Sequence, residues 1–324
     1  MTEDHDLYLA GIGSYLGDEV PIADSDPADD IAAICIEKRL YPPQMAVHAA
    51  ADAVAMAPKN LRYRAGLHAY VDYQGAHFWQ AAPYVAAHTV GPHVPTFDIV
   101  QECNGALGSL ELARAFLRDP GDAVLITAAD RFDSAWVNRL RGDQSMFGDG
   151  AGAVVLTRGS GDVGRILAMH TTADNTVEGE TRGAEFYPAA STGPLDFPAR
   201  VEQFHTRGVP ILEHYGRLER VIADCLATTL EIAGVEATEL AYVLPTTTTH
   251  WRMRVQLERF LGLPPERSTW AFGRRTGHLG AADQLAGLVW LRQKGALHPG
   301  DRILLFGGGS GYTITCAIIE VGDG

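Results

Sequence analysis

One segment occurs twice in outline: DPGDAVLI at residues 119–126 and HPGDRILLF at residues 298–306. Each joins a proline-glycine turn to an apolar run, and each follows a helical pattern that begins after a turn of small residues. A chain that repeats helix, turn and strand in this way reads as two α/β halves, which we place at residues 1–158 and 159–324. Strands alternating with helices in each half predict mainly parallel sheets covered by helices. In such layouts ligand chemistry gathers where strand ends meet helix starts.

Composition excludes several function classes. A net charge of −14, with no basic tract longer than two residues, argues against general nucleic-acid binding. No apolar stretch approaches the length of a membrane span, and the N-terminus MTEDHDLYLAGIGSYL does not read as a signal peptide, so a cytoplasmic protein is expected. The four cysteines, Cys35, Cys103, Cys225 and Cys316, lie far apart without CxxC or Cys/His ligand spacing. Neither a metal site nor a disulfide framework is expected, and no cofactor.

Along the chain, Leu7 to Gly13 predicts a first strand entering a glycine turn at Gly11 and Gly13. Leu16 stands where a dinucleotide fingerprint needs its third glycine. Residues 18–30, rich in Asp and Pro, predict a solvated loop, with metal binding as the other reading, and Gln44 to Pro58 a helix with Met45, Ala49, Ala53 and Met56 on one face. In SMFGDGAGAVVL, residues 145–156, Gly148, Gly150 and Gly152 alternate before a strand, which requires backbone to pass close to backbone. Residues 159–210 are the least periodic and read as a binding surface, a lid or a dimer contact. Val209 to Ala233 predicts a long helix closed by Gly234.

The stretch FDIVQECNGALGSLELARAFL, residues 97–117, predicts a short buried strand feeding a helix, with Cys103 at the turn. Helix-terminal N–H groups and the positive end of the helix dipole favour a thiolate, and Asn104 and Gly105 leave room for a substrate carbonyl. Cys103 therefore reads either as a nucleophile or as a small buried hydrophobe. GHLGAADQL, residues 277–285, is the counterpart turn in the second half.

These two turns, with MFGDGAGAVVL and the closing FGGGSGYTITCAII, give a chain that resembles the thiolase superfamily and, within it, the ketoacyl-ACP synthase III branch. The resemblance implies a thiolase-like five-layered αβαβα fold from two duplicated halves, a homodimer, and an acyl group carried on Cys103. It also implies an oxyanion hole formed by the backbone N–H groups of Cys103 and Gly308; read locally, Gly307 to Gly309 are a tight turn.

Two departures from the condensing members carry the functional reading. Those enzymes have a His-Gln-Ala-Asn motif and a later Asn that together support malonyl decarboxylation. Here PTTTTHW puts Thr246 at the histidine position and Thr249 at the asparagine position, while His278 replaces the later Asn. Threonine has no accessible pKa for base work. Cys103, His278 and Asp283 then read as nucleophile, base and orienter, with helix capping as the other reading of Asp283. The pattern is similar to the acyltransferase offshoot of the branch in bacterial secondary metabolism. The expected reaction moves an acyl group from an acyl carrier protein (ACP) or coenzyme A thioester to a hydroxyl or amine acceptor. The alternatives are a β-ketoacyl synthase using His250 or His278, and a non-catalytic partner subunit. Arg252, Arg254 and Arg259, with Arg274 and Arg275, read as a carrier-protein docking patch or as a solvated face.

Overall fold

The computed structural model describes residues 7–22, 31–139, 146–183, 186 and 194–323. Part of the acidic segment 18–30, and Ser145 of the glycine motif, lie outside the described residues. The strands are β1 (Leu7–Leu16), β2 (Asp18–Pro21), β3 (Ala33–Ile36), β4 (Arg62–Ala69), β5 (Thr96–Ile99), β6 (Asp122–Asp130), β7 (Gly150–Arg158), β8 (Gly164–Ala173), β9 (Leu240–Pro245), β10 (Arg302–Gly309) and β11 (Thr313–Val321). The helices are α1 (Pro42–Met56), α2 (Ala82–Ala87), α3 (Gly105–Ala113), α4 (Gly179–Arg182), α5 (Phe197–Arg207), α6 (Ile211–Ala233), α7 (His250–Leu261), α8 (Trp270–Thr276) and α9 (Asp283–Gln293).

Helices α3 and α9 are buried along most of their length, as sequences with no continuous polar face must be. They form the middle layer. Leu107 and Leu110 of α3 and Leu285 and Leu288 of α9 pack with Leu67 and Val154 on one side and Leu305 and Ile319 on the other. The nine strands on either side run in the order β5-β4-β6-β7-β1-β8-β11-β10-β9, the two halves meeting where β1 pairs briefly with β8. Outside the first half lies α1, whose Met45 and Ala49 pack with Leu125 and Val155. Outside the second lie α6 and α7, through Leu226, Met253 and Leu257 against Leu304 and Ile318. The result is the five-layered αβαβα order.

Several expectations are corrected. Of the eight strand pairs in the large sheet, only β4–β5, β4–β6 and β9–β10 are parallel. Parallel neighbours need a long crossover, usually helical; β10 and β11 are instead joined by a tight turn, and no helix lies between β6 and β7 among the described residues. Gly11 and Gly13 sit within β1, not in a turn. A Cβ there would lie 1.9 Å from the Ala53 carbonyl and 2.0 Å from that of Ala49, so these glycines let α1 lie directly on the strand. Asp18–Pro21 pairs with Ala33–Ile36 as a small sheet in place of a loop. β5 is an edge strand with Phe97 exposed, not a buried one. The irregular middle contains the ten-residue β8 and helices α4 and α5, and the long helix expected from Val209 starts at Ile211. Gly307 to Gly309 continue β10; the turn follows at residues 310–312.

Candidate active site

Cys103 lies in a single 3-10 turn, Glu102–Asn104, that leads straight into α3. The chain enters it through Glu102 at φ 51°, a left-handed backbone that costs a non-glycine residue about 1–2 kcal/mol. Burial, and then the Asp72 carboxylate, push the Glu102 carboxyl pKa up, against the attraction of His278. No sequence signal marks this strained residue.

His278 comes from the far half of the molecule. Its Nε2 is 2.8 Å from Cys103 Sγ, and its Nδ1 is 2.6 Å from Asp283 Oδ2. Asp283 is fixed in turn: Oδ1 accepts the Leu279 N–H at 2.8 Å and Oδ2 the Thr247 N–H at 2.7 Å. A carboxylate held by two backbone donors can only accept from the ring, so Nδ1 carries a proton and Nε2 faces the sulfur. Burial disfavours a charged ring, but the negative charge at Cys103, then that of Asp283, with hydrogen bonds to both, hold the His278 pKa well above its ordinary value. The ring is therefore held ready to carry a proton beside the Cys103 sulfur.

The glycine-rich MFGDGAG is the seat of this histidine. His278 N donates to the Met146 carbonyl at 2.7 Å, and Gly148 N donates to the His278 carbonyl at 2.9 Å. A Cβ on Gly148 would lie 1.9 Å from the Thr276 carbonyl, and one on Gly152 would lie 2.6 Å from Leu285 Cβ. The expected close passage of backbone is present, and it brings the second half onto the first. Asp130 completes the clamp by accepting N–H groups from Val71, Asp72 and Ala281. Gly280, at φ 62°, leaves room for that carboxylate.

The glycine strand of β10 closes the other side. A Cβ on Gly309 would lie 2.4 Å from the Gln101 carbonyl, and one on Gly307 would meet Leu107 and Asn104 Oδ1. Gly308 pairs with Ile314 in the ladder to β11, on the same strand that passes Cys103. Asn104, read from the sequence only as a small turn residue, and Gln284, which has no sequence reading, each hold a buried amide oxygen with no partner beside this strand. Only three-dimensional proximity marks them.

Thr246 accepts from Gln284 Nε2 at 3.2 Å, and the Thr249 hydroxyl caps α7 by accepting the Arg252 N–H. His250 packs against Trp270, with ring centroids 5.1 Å apart, while His278 stands at the thiol. Of the proposed docking cations, Arg259 is held by Glu219 through two bonds of 2.5 and 2.8 Å and Arg275 by Glu19, so part of that patch is already neutralised. Arg254 is exposed and Arg252 partly so.

Residues 97–175 match the model for 3-oxoacyl-[acyl-carrier-protein (ACP)] synthase III, and residues 230–321 match its C-terminal model. The β-ketoacyl-[acyl-carrier-protein] synthase III of Rhodospirillum rubrum is 30% identical over 71% of this chain and 68% of its own length. The β-ketoacyl-[acyl-carrier-protein] synthase III 3 of Streptomyces coelicolor is 29% identical over 70% and 68%. Among solved structures, ChlB3, titled an acyltransferase, is 33% identical over 98% of both chains with a TM-score of 0.88. Among the described residues no helix is long and apolar enough to cross a membrane. With its fold, two matched family models and these relatives, the chain belongs to the 3-oxoacyl-ACP synthase III family of the thiolase superfamily.

Proposed function

We propose that this protein is an acyltransferase that takes an acyl group from an ACP or coenzyme A thioester onto Cys103 and passes it to a hydroxyl or amine acceptor. The observation that carries the reading is the line from Cys103 Sγ through His278 to Asp283, at 2.8 and 2.6 Å. With it goes the replacement of the condensing histidine by Thr246, whose hydroxyl is occupied with Gln284.

In this scheme the Cys103 proton rests on His278 at the start. The Cys103 thiolate attacks the thioester carbonyl, and the oxyanion is met by the N–H groups of Cys103 and Gly308, such donors being worth roughly 3 kcal/mol each. Collapse expels the pantetheine thiolate, which takes the proton from His278 Nε2. Acylation removes the negative charge that most raises the His278 pKa, so the imidazole is left neutral and able to act as a base. The acceptor O–H or N–H gives its proton to Nε2 as the oxygen or nitrogen attacks. Cys103 leaves as thiolate, and the ion pair is restored. Asp283 keeps Nδ1 protonated throughout.

The family's named synthases favour a second reading, carbon–carbon condensation with loss of carbon dioxide. Turnover of malonyl and simple acyl thioesters by the purified chain, with carbon dioxide collected, separates the two. Acceptor-dependent release of ester or amide without carbon dioxide supports acyl transfer; stoichiometric carbon dioxide with a β-ketoacyl product replaces it with condensation. The donor carrier, the homodimer and the docking role of Arg252 and Arg254 belong to the same proposal.

A further inference from the structure

Away from Cys103, the second half carries a buried cluster with no role in the acyl-transfer scheme. Glu180 of α4, His205 of α5 and His214 of α6 each bring one ligating atom within 4.8 Å of the others. His214 is fully buried and Glu180 nearly so. The His205 Nδ1 atom lies 3.0 Å from the Val209 carbonyl, which can only accept, so that nitrogen carries the proton and the lone pair of the neutral ring sits on Nε2. That Nε2 is buried and has no partner. Both ring nitrogens of His214 are likewise buried without a hydrogen bond; Nε2 is 3.1 Å from Glu180 Oε1 but not aligned with it.

Apart from the 3.1 Å contact between His214 and Glu180, this trio leaves His205 Nε2 and His214 Nδ1 buried without partners, a costly arrangement in a site walled by rings. Phe204, Tyr215 and Tyr312 all stand edge-on to His214, with centroids 5.5 to 5.7 Å away. Two imidazoles and one carboxylate are the donor set of a divalent first-row metal with an open coordination position. Bonds of about 2.1 Å in a tetrahedral site place ligand atoms about 3.4 Å apart, so side-chain adjustment of roughly an ångström suffices.

We propose that Glu180, His205 and His214 form a metal site, filled by zinc in preference to harder cations, that ties α4, α5 and α6 together. Cysteine spacing gives no sign of it, because its ligands come from three helices. Through Tyr312 the clamp reaches the turn after Gly309, and so the glycine strand beside Cys103.

The test uses tag-free full-length protein stripped with chelator, then titrated with Zn²⁺ by calorimetry and with Co²⁺ by visible absorption. Wild type should take one Zn²⁺ per chain, gain a ligand-field spectrum of low-symmetry Co²⁺, and melt several degrees higher with Zn²⁺ than with chelator. His205→Ala, at the partly exposed position, should keep the fold by circular dichroism while weakening Zn²⁺ binding by about 100-fold or more and losing the metal-dependent part of Tm. Glu180→Gln should shift the Co²⁺ spectrum. Zn²⁺ uptake and melting shift unchanged in folded His205→Ala, or no stoichiometric uptake by wild type, would overturn the site.

Discussion

Replacing Asp283 with Asn tests whether the carboxylate orients a base or only caps a helix. Both of its oxygens accept a backbone N–H, at 2.8 Å from Leu279 and 2.7 Å from Thr247. Whichever way the new amide turns, its NH₂ faces one of those donors and leaves a buried N–H unpaired, a cost of about 1–3 kcal/mol. For a chain of this size that lowers Tm by several degrees. The functional loss is separate. If the NH₂ takes the Oδ2 position, Nδ1 must accept, the ring proton moves to Nε2, and the base points its proton at the thiol. If it takes the Oδ1 position, the neutral amide oxygen no longer stabilises imidazolium. Either way, acyl transfer from a preformed acyl-enzyme should slow by about 10²–10³-fold, equivalent to about 3–4 kcal/mol of barrier. Single-turnover transfer at a temperature well below the variant's Tm reads this directly. A folded Asp283→Asn that transfers within fivefold of wild type would leave Asp283 as a cap alone and refute the orienting role.

The remaining predictions concern charge, packing and docking. Cys103→Ala removes the first of the two attractions that raise the His278 pKa, so the ring should titrate closer to the ordinary histidine range, as followed by NMR of labelled histidine. The sign of the stability effect follows: a folded pKa raised above about 6.5 gives stability that is complete below that pH and is lost as pH rises through the folded value. The loss begins near the unfolded value in both proteins, so in Cys103→Ala it should be complete at a lower pH and smaller in size, and unfolding curves that keep the wild-type pH profile would contradict the pairing of His278 with Cys103. Gly148→Ala places a Cβ 1.9 Å from the Thr276 carbonyl; it should destabilise the protein by about 2–3 kcal/mol in denaturant melts and slow acylation with it, whereas a neutral effect would show that the His278 seat is loose. Arg252→Ala with Arg254→Ala should raise KM for an acyl-ACP several-fold and leave a small acyl thioester unaffected; equal effects on both would remove the docking role.

Legibility in the sequence followed locality. The strand-to-helix turn at Cys103 is a contiguous pattern, and its thiol stands where that pattern puts it. The clustered glycines of MFGDGAG gave close backbone contact, though what approaches, the His278 turn, is set by residues over a hundred positions away. Strand direction was misread because alternation of helices and strands does not say which strands lack a crossover, and β10 and β11 are joined by only three residues. Gly11 and Gly13 were misread as a turn because close helix packing and tight turns ask for the same residue. Gln284 and Asp130 have no periodic or motif signal, and Asn104 has only that of a small turn residue; their partners come from Phe306, the Val71–Asp72 segment and Thr315. Arg259 lies on an exposed helical face, and only the fold shows Glu219 opposite it.

The central claim is a Cys103 acyl-enzyme that gives its acyl group to oxygen or nitrogen without decarboxylation. Intact-protein mass spectrometry of wild type and Cys103→Ala, after incubation with simple acyl and malonyl thioesters and with carbon dioxide followed in parallel, tests it most directly. The account predicts a single acyl mass gain in wild type and none in Cys103→Ala, with no carbon dioxide released from malonyl thioester. Carbon dioxide release accompanied by a β-ketoacyl product, or an adduct that persists in Cys103→Ala, would contradict it.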